Sequence, residues 1–326
     1  MSNITKQDIF NIKSEVDFRK VALAIFRMQS KECAPYAEYL SLLGTDTNAI
    51  NDIQSIPFLP VRYFKSRDII CGEDTEKIFT SSTTTGMTPA RHLVKDLSIY
   101  EESFLRAFSI FFGNPDNYTI LALLPSYLER DGSSLVYMAD KLIQLTGKKD
   151  SGFYLYNYEE LYDTLVKLRE SNEPTILLGV SFALLDFVQK HKIEFPALTV
   201  METGGMKGRG EEISREELHT VLKMGFGVKQ IASEYGMAEL LSQAYSYGEG
   251  LFRTPPWMKV LIRDLNNPFK MTGSNGGINI IDLANINSCS FIETEDMGAK
   301  KSGDLFTVSG RISNSERRGC NMLIED

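Results

Sequence analysis

Phe79–His92, with the sequence FTSSTTTGMTPARH, places six consecutive hydroxyl residues at positions 80–85 directly before a glycine. Such a run is poor core material, because every buried hydroxyl must find a hydrogen-bond partner. As a loop it suits a polyphosphate, since hydroxyls and backbone N–H groups donate to phosphate oxygens and Gly86 permits the left-handed geometry of an anion-binding turn. It is not a Walker loop, because no Gly-Lys-Ser/Thr follows at the required spacing. The segment therefore predicts a phosphate-binding loop, and a solvated Ser/Thr linker is the alternative.

The composition is that of an ordinary globular protein, with 43% hydrophobic and 24% charged residues in a chain of 326. A net charge of −8 disfavours a nucleic acid or an anionic membrane as the main partner. The sequence shows no apolar signal region and no run that approaches a membrane span. The cysteines lack metal-like spacing, which favours reduced thiols in a cytoplasmic protein.

Helical periodicity covers residues 1–45, and short apolar strands alternate with helices from 98 to 235. This alternation predicts an α/β fold with a largely parallel, doubly wound sheet, whose ligands lie beyond the carboxyl ends of the strands. From Tyr245 onward strands follow one another without helices, which indicates an antiparallel sub-barrel. We expect a helical N-terminal segment packed on the core (1–75), an α/β core (76–244), and a β sub-barrel with a C-terminal tail (245–326).

Two polar motifs fall at the ends of predicted strands. Met201–Gly205, METGG, closes one strand with a glycine pair, and Ser233–Glu239, SEYGMAE, closes another with an aromatic ring and a carboxylate. Without a function, METGG would be a tight strand-to-loop turn, and SEYGMAE would be a strand end with a surface glutamate. The functional interpretation is bare backbone and an aromatic face for a purine, with a hard carboxylate for a hard cation.

The hydroxyl run resembles the phosphate loop Thr-Ser-Ser-Gly-Thr-Thr-Gly of adenylate-forming enzymes, with Thr83 where a glycine is expected. YGMAE resembles the family's Tyr-Gly-Met-Thr-Glu, with Ala238 in place of threonine. Further along, the pairs that end in Asp304 and Arg311 resemble the family's Thr-Gly-Asp and Gly-Arg. The order and spacing of the four motifs agree with the family. The resemblance implies its large N-terminal domain, with mostly parallel sheets flanked by helices and a small β sub-barrel.

The resemblance also implies ATP and Mg²⁺ as cofactors. In the family the Tyr stacks on adenine and the Glu holds the Mg²⁺ that bridges the phosphates; these are Tyr235 and Glu239 here. The Asp accepts hydrogen bonds from the ribose hydroxyls, and the Arg contacts ribose or phosphate. The implied nucleotide-binding residues are Ser81, Ser82, Thr83, Thr84, Thr85, Gly86, Thr203, Gly204, Gly205, Tyr235, Gly236, Asp304 and Arg311.

The C-terminal segment narrows the resemblance. Acyl-CoA ligases continue past this Gly-Arg with a mobile domain that carries a catalytic Lys, and we expect that domain to be absent because the sequence ends at Asp326. Residues 310–321, GRISNSERRGCN, resemble the tail of LuxE-type acyl-protein synthetases, as do residues 125–134, PSYLERDGSS. In that family a Cys in such an Arg-Gly-Cys context accepts the acyl group, which is Cys320 here.

The residues around Cys320 support a reactive thiol, because Arg317 and Arg318 lie close and nearby cations raise the thiolate fraction. An unremarkable terminal cysteine is the alternative. Cys33 falls in a helical segment, Cys71 in an apolar stretch and Cys289 in an expected strand, so these three are predicted to be buried packing.

The resemblance as a whole implies an ATP-dependent acyl-protein synthetase. It would activate a carboxylic acid (in the family a fatty acid) as acyl-AMP and pass the acyl group to Cys320 for an acyl reductase partner of the LuxC type. One other hypothesis is an acyl- or aryl-adenylating enzyme or acyl-CoA ligase, similar to phenylacetate-CoA ligase, that uses another acceptor. The third hypothesis is a catalytically silent interaction subunit, because Thr83 and Ala238 depart from the family's motifs.

Overall fold

The structure, a computed structural model, describes residues 4–81, 88–124, 132–204 and 213–312. The helices of these ranges are α1 (Lys6–Phe10), α2 (Glu15–Glu32), α3 (Ala34–Leu42), α4 (Tyr63–Ser66), α5 (Leu97–Phe112), α6 (Ser134–Thr146), α7 (Tyr158–Glu170), α8 (Ser181–Lys190) and α9 (Arg215–Phe226). The strands are β1 (Leu59–Pro60), β2 (Lys77–Thr80), β3 (Arg91–Val94), β4 (Thr119–Leu123), β5 (Gly152–Tyr154), β6 (Thr175–Val180), β7 (Thr199–Thr203), β8 (Ala232–Tyr235), β9 (Ala244–Ser246), β10 (Phe252–Arg253), β11 (Met258–Arg263), β12 (Met271–Thr272), β13 (Asn275–Asp282), β14 (Phe291–Lys300) and β15 (Phe306–Arg311). Within the described ranges every helix is too short or too polar to span a lipid bilayer.

The chain divides into two compact units. The first comprises Met1–Glu76, Ala90–Asp96 and Thr254–Asp326, and the second comprises Lys77–Pro89 and Leu97–Arg253. The predicted helices and strands between residues 98 and 235 are all present, with their ends shifted by a few residues.

The second unit is built on a parallel sheet. Its strands lie in the order β5, β4, β6, β7, β8, β9, β10, and the first five run parallel. Strands β9 and β10 continue the sheet antiparallel. All residues of β4 and β6 are buried, as expected for central strands of a sheet covered by helices. The α/β prediction is therefore confirmed, and the carboxyl ends of β7 and β8 lie side by side.

Helix α9 is fixed at both ends and along one face, which matters because it carries two side chains to the site. Ser214 forms a capping box with Glu217, and the helix ends at Gly227, whose φ of 66° is left-handed. Gly225 allows close packing on α8, because a Cβ at that position would lie 2.5 Å from Val188 Cβ. The rings of Phe187 and Phe226 stack in the same contact, with centroids 5.6 Å apart.

The first unit contains an antiparallel sheet in the order β12, β11, β13, β14, β15, with β1 added parallel to β14. Helix α2 is tied to it through buried Gln29, whose Nε2 donates to the carbonyls of Asn285 and Ile286 at 2.9 Å each. The Gln29 Oε1 atom accepts from the Ser290 N–H at 3.0 Å. Because both ends of the amide are satisfied, its burial carries no unpaired-group penalty.

Strand β14 was not predicted from the sequence, and the expectation that Cys289 lies in a strand is wrong. Cys289 precedes β14, just after a 3₁₀ turn at Leu283–Asn287. The β14 sequence, FIETEDMGAK, is rich in charge and lacks a clean apolar alternation. It forms a strand because β13 and β15 pair with it on both sides, which is tertiary information that local propensity does not contain.

A buried arginine organises the centre of this sheet. Arg263 Nη1 donates to the Ile278 carbonyl at 2.7 Å and to Asn279 Oδ1 at 2.9 Å. Its Nη2 donates to the Thr294 carbonyl at 2.7 Å. Glycine at position 276 makes room for the Arg263 backbone, because a Cβ there would lie 2.0 Å from the Arg263 carbonyl oxygen.

We expect Gly276→Ala to destabilise the first unit, because the new methyl group cannot be placed without moving backbone. The free energy of unfolding should fall by about 2 kcal/mol or more, as for other overpacked sites. Gly273→Ala is the matched control, since a Cβ there meets nothing within 4 Å. Urea unfolding followed by the fluorescence of Trp257, the single tryptophan, reports on this unit. Equal unfolding midpoints for the two variants would contradict the packing described here.

Candidate functional site

Polar side chains gather where β7 and β8 end. In the sheet register Glu202 pairs with Ser233 and Thr203 pairs with Glu234. Side chains alternate between the two faces of a strand, so each pair occupies one face. All four residues are buried. Both motifs singled out in the sequence therefore meet at the carboxyl-end edge of the parallel sheet, the edge at which open α/β sheets in general bind ligands.

On one face, Glu234 holds the two strand ends together. The hydroxyl of Thr203 donates to Glu234 Oε2. The other carboxylate oxygen fills the space in front of Gly236, where a Cβ would lie 2.4 Å from Glu234 Oε1. A larger residue at position 236 would displace the Glu234 carboxylate, and glycine leaves bare backbone beside Tyr235.

The charge of the same carboxylate acts on two buried tyrosines. Burial raises the pKa of Tyr100 and of Tyr245 well above the usual range, and the negative charge of Glu234 adds to both shifts. Their hydroxyls therefore stay protonated and can donate; Tyr100 Oη donates to the Ser134 carbonyl at 2.9 Å.

On the other face, Glu202 is the centre of a second cluster. Ser181 at the start of α8 donates to Glu202 Oε2 at 3.2 Å and to the Gly204 carbonyl at 2.6 Å. Helix α9 supplies Arg215 Nε and His219 Nε2, each 3.5 Å from Glu202 Oε1. Gly204 itself has a left-handed φ of 63°, a backbone conformation that favours glycine.

This cluster does not have the geometry of a nucleophile–base relay. Ser233 Oγ also lies 3.5 Å from His219 Nε2, the nitrogen that faces Glu202. A catalytic triad needs the acid and the nucleophile on opposite ring nitrogens. Because one nitrogen serves both contacts, Ser233 is not set up as an activated nucleophile.

Tyr235 and Glu239 complete the edge of β8. The Tyr235 ring packs edge-on against Phe252, with ring centroids 5.9 Å apart. Glu239 is buried in the turn that follows, which is closed by a 3.1 Å hydrogen bond from Leu240 N–H to the Met237 carbonyl.

Gln243, also near Gly236, was missed by the sequence analysis. Its side chain is 4% exposed, and among the described residues its Oε1 has no hydrogen-bond donor. The Cγ atom lies 3.3 Å from the position of a Cβ on Gly236. No motif in the sequence marks this residue; only its burial without a donor identifies it as a candidate ligand contact.

Of the remaining predicted site residues, the structure describes Asp304, Arg311 and Ser81. In the first unit Asp304 is exposed and lines a surface cavity of about 330 Å³, and the exposed Arg311 has its Nε 3.6 Å from Asp296 Oδ1. Ser81 follows β2 directly. The others lie outside the described residues, namely Ser82, Thr83, Thr84, Thr85, Gly86, Gly205 and Cys320.

The three cysteines among the described residues, Cys33, Cys71 and Cys289, are buried, as predicted. A hydrogen bond with Cys71 lowers the pKa of Cys33, and the same hydrogen bond together with burial raises the pKa of Cys71. Burial raises the pKa of Cys289 well above its ordinary value. All three are at most 7% exposed, so a substrate carbonyl cannot reach them without local opening.

No protein-family model matches the chain, and no curated protein matches it significantly in sequence. Solved structures do match. A 2-hydroxyisobutyryl-CoA ligase in complex with 2-HIB-AMP and CoA aligns with a TM-score of 0.62 at 11% identity, over 94% of this chain and 70% of that one. A long-chain-fatty-acid-CoA ligase from Archaeoglobus fulgidus aligns with a TM-score of 0.52 at 13% identity, over 76% of this chain and 53% of that one.

The O-succinylbenzoate coenzyme A synthetase from Bacillus subtilis, solved with ATP and magnesium, aligns with a TM-score of 0.51 at 15% identity, over 76% of this chain and 53% of that one. The chain thus spans about half the length of two of these three proteins. At such identities the similarity concerns the fold. The chain has the α/β fold of the large domain of adenylate-forming ligases, as the sequence motifs predicted.

We expect Thr203→Val to weaken the junction of β7 and β8, because the buried Glu234 carboxylate loses one of its donors. The free energy of unfolding should fall by about 1–3 kcal/mol, the usual cost of removing one partner of a buried group. Thr220→Val is the control, since that hydroxyl is exposed and bonds only the carbonyl one turn back in α9. Urea unfolding followed by far-UV circular dichroism makes the comparison. Equal losses in both variants would show that the Thr203 contact adds nothing to stability.

Proposed function

We propose that this chain is an ATP-dependent acyl-protein synthetase. It would activate a carboxylic acid as acyl-AMP and transfer the acyl group to its own Cys320. The observation that carries the adenylation step is the end of β8, where bare backbone at Gly236, the Tyr235 ring and the buried Glu239 carboxylate follow one another at the ligand-binding edge of the sheet. The fold that it shares with adenylate-forming ligases supports the same step.

The nucleotide base fits the β7 and β8 ends. Tyr235 offers an aromatic face, and Gly204 and Gly236 offer backbone that carries no Cβ. The buried Gln243 Oε1, which lacks a donor among the described residues, suits a donor group of the ligand. Asp304 and Arg311 keep the ribose and phosphate roles that the order of the motifs implies.

Glu239 is suited to a magnesium ion, because carboxylate oxygens are the ligands that hard cations prefer. Mg²⁺ bound there would neutralise negative charge on the phosphates. Donors from Ser81, Ser82, Thr84 and Thr85 would stabilise the charge that develops on the phosphate during attack.

The two half-reactions balance without a further reactant. A carboxylate oxygen of the acid attacks the α-phosphorus of ATP, the bond to the β-phosphate oxygen breaks, and pyrophosphate leaves. The Cys320 thiolate then attacks the acyl carbonyl, and AMP leaves with the bridging oxygen. The resemblance to LuxE-type acyl-protein synthetases is why we propose a fatty acid and an acyl reductase partner, which would consume the thioester.

Burial supports Cys320 as the acceptor among the four cysteines. Cys33, Cys71 and Cys289 are enclosed in the first unit, and Cys71 and Cys289 have raised pKa values that disfavour the thiolate. Cys320 lies in the sequence Arg317-Arg318-Gly319-Cys320, whose cations favour the thiolate.

We expect Glu239→Gln to lower acid-dependent ATP–pyrophosphate exchange, because an amide oxygen binds Mg²⁺ less tightly than a carboxylate does. The loss should be about tenfold or more at low Mg²⁺, equivalent to about 1.4 kcal/mol, and should shrink as Mg²⁺ is raised. Glu216→Gln, an exposed position on α9, is the control. Undiminished exchange by Glu239→Gln at low Mg²⁺ would remove Glu239 from the metal site.

We expect Cys320→Ser to separate the two half-reactions. Adenylation needs no protein nucleophile, so ATP–pyrophosphate exchange should persist, while hydroxylamine-sensitive acyl label on the protein should vanish. Cys320→Ala should behave in the same way. Label that persists in both variants and maps by peptide mass to another cysteine refutes the acceptor. Wild-type protein that never retains label yet makes free acyl-CoA identifies a ligase with another acceptor, and absence of exchange supports a silent subunit.

A further inference from the structure

A continuous series of contacts in the second unit leads from Glu202 to Tyr235. Glu202 Oε1 lies 3.5 Å from Arg215 Nε. The Arg215 guanidinium carbon lies over the Phe252 ring, 5.1 Å from its centre. Phe252 in turn packs edge-on against Tyr235, with the ring planes at 63°. The carboxylate at the end of β7 is thus connected, through one cation and one ring, to the aromatic face at the end of β8.

The position of Arg215 is not explained by the stability of its own helix. Arg215 is the first residue of α9, where the helix dipole favours anions and disfavours a cation. The acidic residues that suit this position, Glu216 and Glu217, follow it directly. Glu202 compensates the unfavourable placement, because its buried carboxylate needs a positive partner.

The loop before β10 passes close to the Arg215 side chain. Gly250 has a left-handed φ of 63°, and a Cβ there would lie 3.4 Å from Arg215 Cδ. The aliphatic stem of Arg215 therefore passes close to bare backbone before its guanidinium reaches Phe252. A cation placed over an aromatic ring in this way is attracted by the ring quadrupole, and the attraction grows as water is excluded.

We propose that Arg215 is a positioning residue for the nucleotide base. Glu202 holds its guanidinium over Phe252, and Phe252, pressed against Tyr235, fixes the angle at which the tyrosine ring meets the base. The inference rests on the proposed function, in which Tyr235 stacks on adenine. It adds three residues, Glu202, Arg215 and Phe252, that act on the base without touching the phosphates.

The test compares ATP with inorganic tripolyphosphate, which offers the same phosphates but no base. Binding of each probe in the presence of Mg²⁺ is measured by titration calorimetry on the full chain. Arg215→Met keeps the stem and removes the charge. It should weaken ATP binding about tenfold while tripolyphosphate affinity changes by less than about twofold, since about 1.4 kcal/mol corresponds to a factor of ten.

Two further variants separate positioning from general support. Arg215→Lys should recover part of the lost ATP affinity, because a cation returns to the face of Phe252. Arg106→Met is the control. Arg106 lies on α5 of the same unit, and its Nη2 forms a 2.8 Å ion pair with Glu102 Oε1. Its replacement should change the affinity for neither ATP nor tripolyphosphate.

A double-variant cycle tests the series of contacts itself. Phe252→Leu should lower the affinity for ATP as Arg215→Met does, without lowering the affinity for tripolyphosphate. The double variant Arg215→Met/Phe252→Leu should bind ATP no more than about twofold more weakly than the weaker-binding single variant. If the losses of ATP affinity in the two single variants multiply in the double variant, the two residues act independently, and the proposal is overturned. Equal weakening of ATP and tripolyphosphate, or no weakening of either, overturns it as well.

Circular dichroism verifies that each variant is folded. If Arg215→Met does not fold, Glu202→Gln tests the same series from its other end. It should lower ATP affinity without lowering tripolyphosphate affinity, and equal losses would contradict the proposal. Wild-type protein that fails to bind ATP refutes the proposed function, whereas wild-type binding with an unaffected Arg215→Met variant refutes only the positioning role.

Discussion

A buried carboxylate must be hydrogen-bonded or paired with a cation, and two such groups at neighbouring strand ends govern the second unit. Glu202 and Glu234 belong to adjacent register pairs and so face opposite sides of the sheet. Glu234 is met by Thr203 and lies close enough to Tyr100 and Tyr245 to raise their pKa values. Glu202 accepts a hydrogen bond from Ser181, and His219 and Arg215 place ring and guanidinium nitrogens beside its other oxygen. These contacts connect the ends of β7 and β8 with the first turns of α8 and α9.

The consequence for chemistry is that polar contacts hold the backbone at the ends of β7 and β8. Gly236 is enclosed by the Glu234 carboxylate, and the Gly204 carbonyl is held by Ser181. Backbone that is fixed before a ligand arrives costs less conformational entropy on binding than a mobile loop does. Such an arrangement would suit the flat base that we propose for this edge, because stacking on Tyr235 would depend on the angle and distance of the ring.

Much of the fold of this edge could be predicted from the sequence, because local patterns encode it. The alternation of apolar strands and amphipathic helices gave the parallel sheet, and the glycine-containing motifs marked the two strand ends. The antiparallel sheet of the first unit was harder to predict from the sequence. Strand β14 carries four charged residues, and only pairing on both edges makes it a strand. Cys289 was misplaced for the same reason.

The second layer of the site was invisible in the sequence. Arg215 appears there as one member of an ordinary charged helix start, and Phe252 as an isolated aromatic residue. Gln243 becomes notable only because its oxygen is buried without a donor among the described residues. Each of these roles arises from contacts between residues far apart in the chain, whereas the motif residues are recognised by near neighbours.

The division of labour proposed for the chain separates a nucleotide edge on ordered strands from a thiol acceptor in the C-terminal segment. The first part follows from the fold and from the strand ends, and the second from the sequence around Cys320. Adenylation can therefore be examined without reference to the acceptor.

The most direct measurement follows an oxygen atom. The chain is incubated with ATP, Mg²⁺ and a carboxylic acid whose carboxylate carries ¹⁸O, and the nucleotide products are analysed by mass spectrometry. Attack of the carboxylate on the α-phosphorus predicts AMP that carries one ¹⁸O atom, together with unlabelled pyrophosphate. Label in inorganic phosphate with formation of ADP, or AMP without label, would contradict acyl-adenylate formation.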